Sequence, residues 1–242
     1  MEKDKALIIS SVLIGIAFIA GVLIYGANQL KIQRMSDTLE VTGSATKTVQ
    51  SDLAKLRASF SRTVKESQLS DGYSQMKSDE AAVVSFLQSN GFTESEYEIS
   101  PVSMYEDYDY NKTEYTETKY NLSQNVSITS TDIQKVKGLS QKTDEIINQG
   151  VIYQINSPEY YYTKLPDERI NLLPDAVQDA QKRAQMIAES TGRELGTLKE
   201  ASMGVVQVMQ PNSIDVSSYG TYDTSTIEKE IMITVRGEFT LD

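Results

Sequence analysis

Hydrophobic positions along the chain follow three different patterns, and each predicts a different kind of element. The first is an unbroken run: Ala6–Leu30 holds 25 consecutive uncharged residues, apolar almost throughout from Ala6 to Tyr25. At about 1.5 Å of rise per residue, some 20 to 25 helical residues cover roughly 30–37 Å, enough to cross the hydrocarbon of a bilayer. A helix apolar on every side needs lipid or a large core around it, and nothing downstream is comparably hydrophobic. The stretch is expected to be an N-terminal transmembrane helix, with residues 1–30 as a membrane anchor touching lipid through residues 6–27. A cleaved secretory signal would instead show a basic start, an apolar core of about 7–15 residues and a small-x-small cleavage site. Here Glu2 and Asp4 offset Lys3 and Lys5, and Tyr25-Gly26-Ala27 sets a ring where a small residue belongs. An uncleaved signal-anchor is the favoured reading, and either outcome sends the rest of the chain to one side. Lys31 and Arg34 balance Lys3 and Lys5, so the charge bias decides little. Short N-terminal tails usually stay in the cytoplasm, which places the body of the chain outside it.

The second pattern is alternation of period two, the mark of a half-buried strand. It runs through Leu39-Glu-Val41-Thr-Gly43-Ser-Ala45 and, after a turn at Gln50-Ser51-Asp52, through Ala54-Lys-Leu56-Arg-Ala58-Ser-Phe60. These two are expected to pair antiparallel. Residues 67–90 change to steps of three and four at Leu69, Tyr73, Met76, Val83 and Leu87, which predicts an amphipathic helix with Tyr73 and Met76 in the core. Ser70 and Asp71 are its capping candidates and Gly91 its stop. Residues 97–128 read as a long hairpin with its tip near Asp109-Tyr-Asn111-Lys, and Pro101 puts its first strand at an edge. A second helix, Thr131 to Gln149, turns Ile133, Val136, Ile146 and Ile147 inward, and Val151–Ile155 follows as a short strand. Strand, helix, strand, strand, helix, strand over residues 52–157 is the split βαβ, ferredoxin-like order.

Ala176, Ala180, Ala184 and Ala188 recur every fourth residue in a further helix, which Pro174 should kink or restart and Gly192 should end. A row of alanines lets a helix lie close against a sheet, because no long side chain holds the backbones apart. Leu198–Met209 and Glu228–Leu241 are the last strands; in the latter Ile231, Ile233, Val235, Phe239 and Leu241 alternate strictly. Pro211–Thr226 between them, rich in Ser, Thr, Asp, Tyr and Gly, is expected to be a loop.

Composition narrows the chemistry. The first 30 residues are charge-balanced, so the body carries the whole net charge of −11, a poor match for nucleic acid or anionic headgroups. With no Cys and no His, the chain has no thiolate or imidazole zinc site, no disulfide, and no Ser–His–Asp or Cys–His machinery. Neither catalytic residues nor a cofactor is expected. Asp107-Tyr-Asp109-Tyr-Asn111 places oxygen ligands at alternate positions as calcium loops do, making Asp107, Asp109 and Asn111 the candidate metal ligands. Against this, Lys112 stands where such a loop needs Gly and Thr118 where it needs a bidentate Glu. Tyr105, Tyr108, Tyr110 and Tyr115 are candidates for an interaction surface, with cross-strand aromatic pairing as the plainer account of the tyrosines. A carboxylate pair for glycan cleavage has 34 acids to choose from and no pair singled out.

Val41-Thr-Gly43, the residues Pro101, Tyr105, Tyr108-Asp-Tyr110 and Tyr120-Asn121, and above all Leu173-Pro-Asp-Ala-Val-Gln-Asp-Ala-Gln-Lys-Arg-Ala-Gln-Met-Ile-Ala closing on Gly192-Arg-Glu-Leu-Gly196 resemble the SIMPL-domain family of bacteria. That family includes periplasmic immunogenic proteins, and the similarity spans about residues 38–241. The resemblance implies an extracytoplasmic α+β protein of two interleaved lobes, some relatives forming ring-like or channel-like oligomers, and a link to envelope integrity or oxidative-stress tolerance. It implies no catalytic residues. The long apolar N-terminus departs from the many relatives that look cleaved and soluble.

The combined expectation is an α+β fold in which the membrane anchor precedes two α/β lobes. Residues 52–162 would form the inserted ferredoxin-like lobe, with an antiparallel sheet and two helices. Residues 38–51 and 163–242 would form the outer lobe, a small sheet packed on the Ala-rich helix. The expected role is non-enzymatic: a homo-oligomer or a holder of envelope partners. A calcium- or glycan-binding envelope module and a carboxylate-dependent glycan-acting enzyme are the alternatives.

Overall fold

The computed structural model describes residues 15–16, 18–26, 37–107 and 117–241. Residues 18–26 are helical and leave Phe18, Ile19, Val22, Leu23 and Ile24 uncovered. Among the described residues no helix is long and apolar enough to cross a membrane, and much of the expected span 6–30 lies outside them.

From there the chain forms β1 (Thr38–Gln50), β2 (Leu53–Lys65), α1 (Leu69–Ser89), β3 (Tyr97–Ile99), β4 (Ser103–Asp107) and β5 (Lys119–Ser130). Next come α2 (Ile133–Ser140), α3 (Thr143–Ile147), β6 (Tyr153–Ile155), β7 (Glu159–Tyr161), α4 (Leu165–Asn171) and α5 (Leu173–Ser190). β8 (Leu195–Met203), β9 (Gln207–Met209), β10 (Thr221–Tyr222) and β11 (Glu228–Leu241) complete it, giving a mixed α+β architecture with two sheets. Two compact units divide the chain, one comprising Met1–Thr46, Arg169–Val206 and Met232–Asp242, the other Lys47–Glu168 and Gln207–Ile231. β1 and β11 each contribute residues to both.

In the second unit β3-β5-β2-β6 run in that order, with β4 also on β5 and β7 also on β2. This is the ferredoxin-like order that the element sequence predicted. β2 and β5 pair antiparallel along their whole length, and the register Leu56↔Ile128 and Ala58↔Val126 puts the apolar members of both strands on one face. Met76, Val83 and Leu87 of α1, with Val136 of α2 and Ile146 of α3, cover that face and are fully buried. Asp79 also lies on the buried side of α1; Arg62 holds it in a two-pronged pair at 2.6 and 2.7 Å and donates to the Gly150 carbonyl at 3.1 Å. The pair satisfies a charge that would otherwise be stranded in the core.

Several expectations change. β1 and β2 do not form a hairpin: β1 pairs with β11, while β2 pairs with β5, β6 and β7. Alternation identifies strands without naming partners, and main-chain bonds from Ser51 to Ile227 and from Asp52 to Tyr161 divert the chain at the turn. Tyr73 and Ile147 are exposed rather than core. The helix expected over 131–149 breaks into α2 and α3 at Gln141–Lys142, and the Pro101 strand breaks into β3 and β4 at 100–102. α1 takes no side-chain cap; a 3-10 turn at Glu66–Gln68 leads into it. The expected loop over 211–226 contains β10, parallel to β9, and the strand expected over 198–209 divides into β8 and β9.

In the first unit the alanine row performs its expected task. Ala176, Ala180, Ala184 and Ala188 are all buried, and Ala180 and Ala184 pack with Val41 and Phe239. The approach is closest at Gly43, where an added Cβ would stand 2.2 Å from the Ala180 nitrogen and 2.3 Å from the Ala176 oxygen. One residue on, the Ser44 amide donates to the Asp179 carboxylate at 2.9 Å, which with Arg183 at 2.8 Å lowers the Asp179 pKa.

Two outcomes follow. Gly43→Ala forces backbone against backbone and is expected to cost about 3 kcal/mol in urea denaturation, whereas Gly138→Ala, in a helix with open space around it, is expected to stabilise by about 0.5–1 kcal/mol. Glu96 accepts from Lys135 at 2.7 Å, Ser130 at 2.5 Å and the Thr93 amide at 3.0 Å, and these donors, Lys135 first, lower its pKa from 4.5 to about 2. A lowered carboxyl pKa contributes stability above the unfolded value, lost as pH falls through the folded one. Glu96→Gln is therefore expected to lower stability by about 1 kcal/mol at neutral pH, with the gap to wild type closing between about pH 4.5 and 2.

Candidate functional site

Of the residues singled out by sequence, Tyr105 lies half-exposed on β4 opposite Asn121, and Asp107 ends that strand opposite Lys119. Tyr108, Asp109, Tyr110, Asn111 and Tyr115 lie outside the described residues. Among the described residues no group of three or more acidic side chains is placed to hold a metal ion. Three other tyrosines serve the sheet: Tyr97 pairs with Ile128, Tyr120 with Val64 and Glu106, and Tyr160 is buried in the core.

A more developed arrangement lies in the second unit, where β11 begins. Counting back along the buried face of β11 from Ile233 and Ile231, the next position is Lys229, and it is fully buried. Its ammonium donates to the main-chain carbonyls of Asp223 at 2.6 Å and Thr226 at 2.7 Å, and stands 3.3 Å from the Asp223 carboxylate. Asp223 also accepts from the amide and hydroxyl of Ser225, at 3.1 and 2.7 Å, and from the amide and hydroxyl of Thr226. Burial alone would raise the Asp223 pKa, but the Thr226 and Ser225 donors outweigh it and hold the carboxyl well below the usual range. Burial pushes the Lys229 ammonium down, and Asp223 partly restores it.

This knot fixes the foot of the 210–226 loop. Its other side is held by Gln207, whose amide donates to the Ser217 carbonyl at 2.6 Å and accepts from the Thr221 hydroxyl at 2.9 Å. Asn212 and Gly220 take positive φ values of 62° and 86° to turn the chain. Beneath the loop is an open cleft of about 390 Å³. Buried Val208 and Met209 form its floor, and Gln210, Asp215, Tyr222 and Asp223 also line it. The Tyr222 ring stacks on Tyr161 with centroids 6.0 Å apart, and its hydroxyl accepts from the Tyr162 amide at 2.8 Å.

Asp223 and Lys229 spend their hydrogen-bonding capacity on the loop, and the amine is sealed from solvent, so neither is free to attack or to move a proton. A second, smaller cleft of about 140 Å³ in the first unit is lined by Glu40, Glu200, Glu238, Ser202 and Arg236. Arg236 pairs with Glu40 at 3.0 Å and Lys199 with Glu238 at 3.2 Å. Thr38 and Lys199 lower the Glu238 pKa, the direction opposite to that required of a general acid. Sequence reading missed the Lys229 knot because it stopped the β11 alternation at Ile231. A cation two residues earlier, in phase with the apolar face, was the signal.

The SIMPL family, described as a protein of unknown function (DUF541), matches residues 39–239. The chain belongs to this family. No curated relative matches.

Removing the knot tests its structural weight. Lys229→Ala strips two main-chain carbonyls and Asp223 of their cation and is expected to cost about 3–5 kcal/mol in urea denaturation. Limited proteolysis should show faster cleavage between Pro211 and Gly220 in the variant.

Proposed function

We propose that this SIMPL-family chain is a single-pass membrane protein. Its extracytoplasmic, non-enzymatic domain assembles with copies of itself or holds partners at the cell envelope. The observation that carries the reading is the unbroken apolar run Ala6–Leu30 ahead of an acidic body without cysteine. The uncovered apolar side chains at Phe18, Ile19, Val22, Leu23 and Ile24 suit lipid contact. An anchor confines many copies to one plane, which raises their effective concentration and favours weak lateral contacts.

A binding role is supported further by the state of the polar groups. Among the described residues the carboxylates with shifted pKa values, Glu96, Glu117, Asp179, Asp223 and Glu238, are all lowered, as structural pairing produces. A glycan-cleaving acid needs the opposite shift.

Light scattering on the full-length protein in nonionic detergent is expected to give a protein mass of at least twice the 27.0 kDa chain. A strictly monomeric mass removes the assembly. In membranes the protein should resist alkaline carbonate extraction, and recovery in the aqueous fraction removes the anchor.

A further inference from the structure

The loop between β9 and β10 carries three large apolar side chains in unusual exposure: Ile214 is 92%, Val216 62% and Tyr219 94% exposed. Single exposed apolar residues are ordinary, but three within six positions form a patch. This patch also stands on a fixed base. Gln207 grips Ser217 and Thr221, and Lys229 grips the carbonyls of Asp223 and Thr226. A surface already ordered before binding loses less conformational freedom when a partner arrives.

Charge selects the partner. Residues 210–226 contain Asp215 and Asp223 and no Lys or Arg. Asp223 is consumed by the knot beneath, whereas the Asp215 carboxylate lines the cleft and, among the described residues, has no hydrogen-bonded or ionic partner. Tyr222 lines the same cleft, but its ring already stacks on Tyr161 and has the Lys229 ammonium 5.9 Å from its centroid, which leaves Asp215 as the group open to an incoming cation. A second copy of this chain would bring another net charge of −11 to an acidic rim.

We infer that the loop and its cleft form a docking site for a basic, apolar polypeptide segment of a partner protein. A Lys or Arg side chain of that segment enters the cleft and pairs with Asp215, above the Val208–Met209 floor. Apolar side chains on either side of the cation cover Ile214, Val216 and Tyr219. The apolar contacts supply affinity, and the carboxylate sets the register and excludes acidic segments. This deepens the partner-holding half of the proposed function and depends on neither the anchor nor self-assembly.

The test uses full-length protein in nonionic detergent and fluorescence anisotropy. The probe is a labelled amphipathic peptide of leucine and arginine, with a leucine–glutamate peptide of equal length as its counterpart. Wild type is expected to bind the arginine peptide and ignore the other. Asp215→Asn should weaken binding about tenfold, and Ile214→Ser/Tyr219→Ser at least tenfold. All of these positions are on the surface, so the variants should melt with wild type. Equal binding by wild type and both variants overturns the proposal, since attraction to the acidic body in general would then explain it. Absence of binding overturns it too. Loop-dependent binding to neutral phosphatidylcholine vesicles, without peptide binding, would make the patch a lipid contact instead. Light-scattering mass is read in parallel: unchanged mass with lost peptide binding supports the site. A variant that loses mass overturns it by making the loop a contact between copies.

Discussion

The contact between β1 and α5 at Gly43 is the constraint on which the first unit rests. A helix and a strand usually meet through interleaved side chains; here backbone lies against backbone with nothing between. That geometry requires glycine on the strand and small residues on the helix, and it brings the Ser44 amide within reach of Asp179. A strand amide that would otherwise face a helix without a partner is satisfied by that helix's own side chain. The alanine row, the glycine and the aspartate are thus one device written in two distant parts of the sequence.

The second unit solves a different problem by the opposite means. Its core accepts charged groups on apolar faces and pairs them: Asp79 with Arg62, and Lys229 with the Asp223–Thr226 turn. Gln124, also on the buried face of β5, donates to Glu80 and to the Ser100 carbonyl. Each of these ties a loop or turn to the sheet, to the Gly150 turn, the 223–226 turn and the Pro101 break. Hydrophobic burial holds the layers together, and the buried polar groups decide where the connections lie.

Much of the fold was legible. Alternation located β2, β5 and β11, the last with its Glu228 and Leu241 ends, and the order of elements gave the ferredoxin-like sheet order. The every-fourth-residue alanines marked a close-packed helix before any partner was known. What failed was pairing and punctuation. Nothing in the period of β1 says that it joins β11 rather than its neighbour β2, since both choices bury the same face. The breaks at Gln141–Lys142 and at 204–206 carry no proline, and the short parallel pair β9–β10 is too brief to show a period. The cleft was illegible for the same reason, being assembled from a loop and two such strands held by a lysine that the period-two count stopped short of.

Lys229 has one further consequence. An amine with no solvent contact is invisible to acylating reagents while the turn around it stays closed, and it becomes an ordinary nucleophile once the turn lifts. Its modification rate therefore counts openings of the 223–229 segment, much as a slowly exchanging amide counts local unfolding. The chain carries its own clock for the motion of that loop, read by mass at a single side chain.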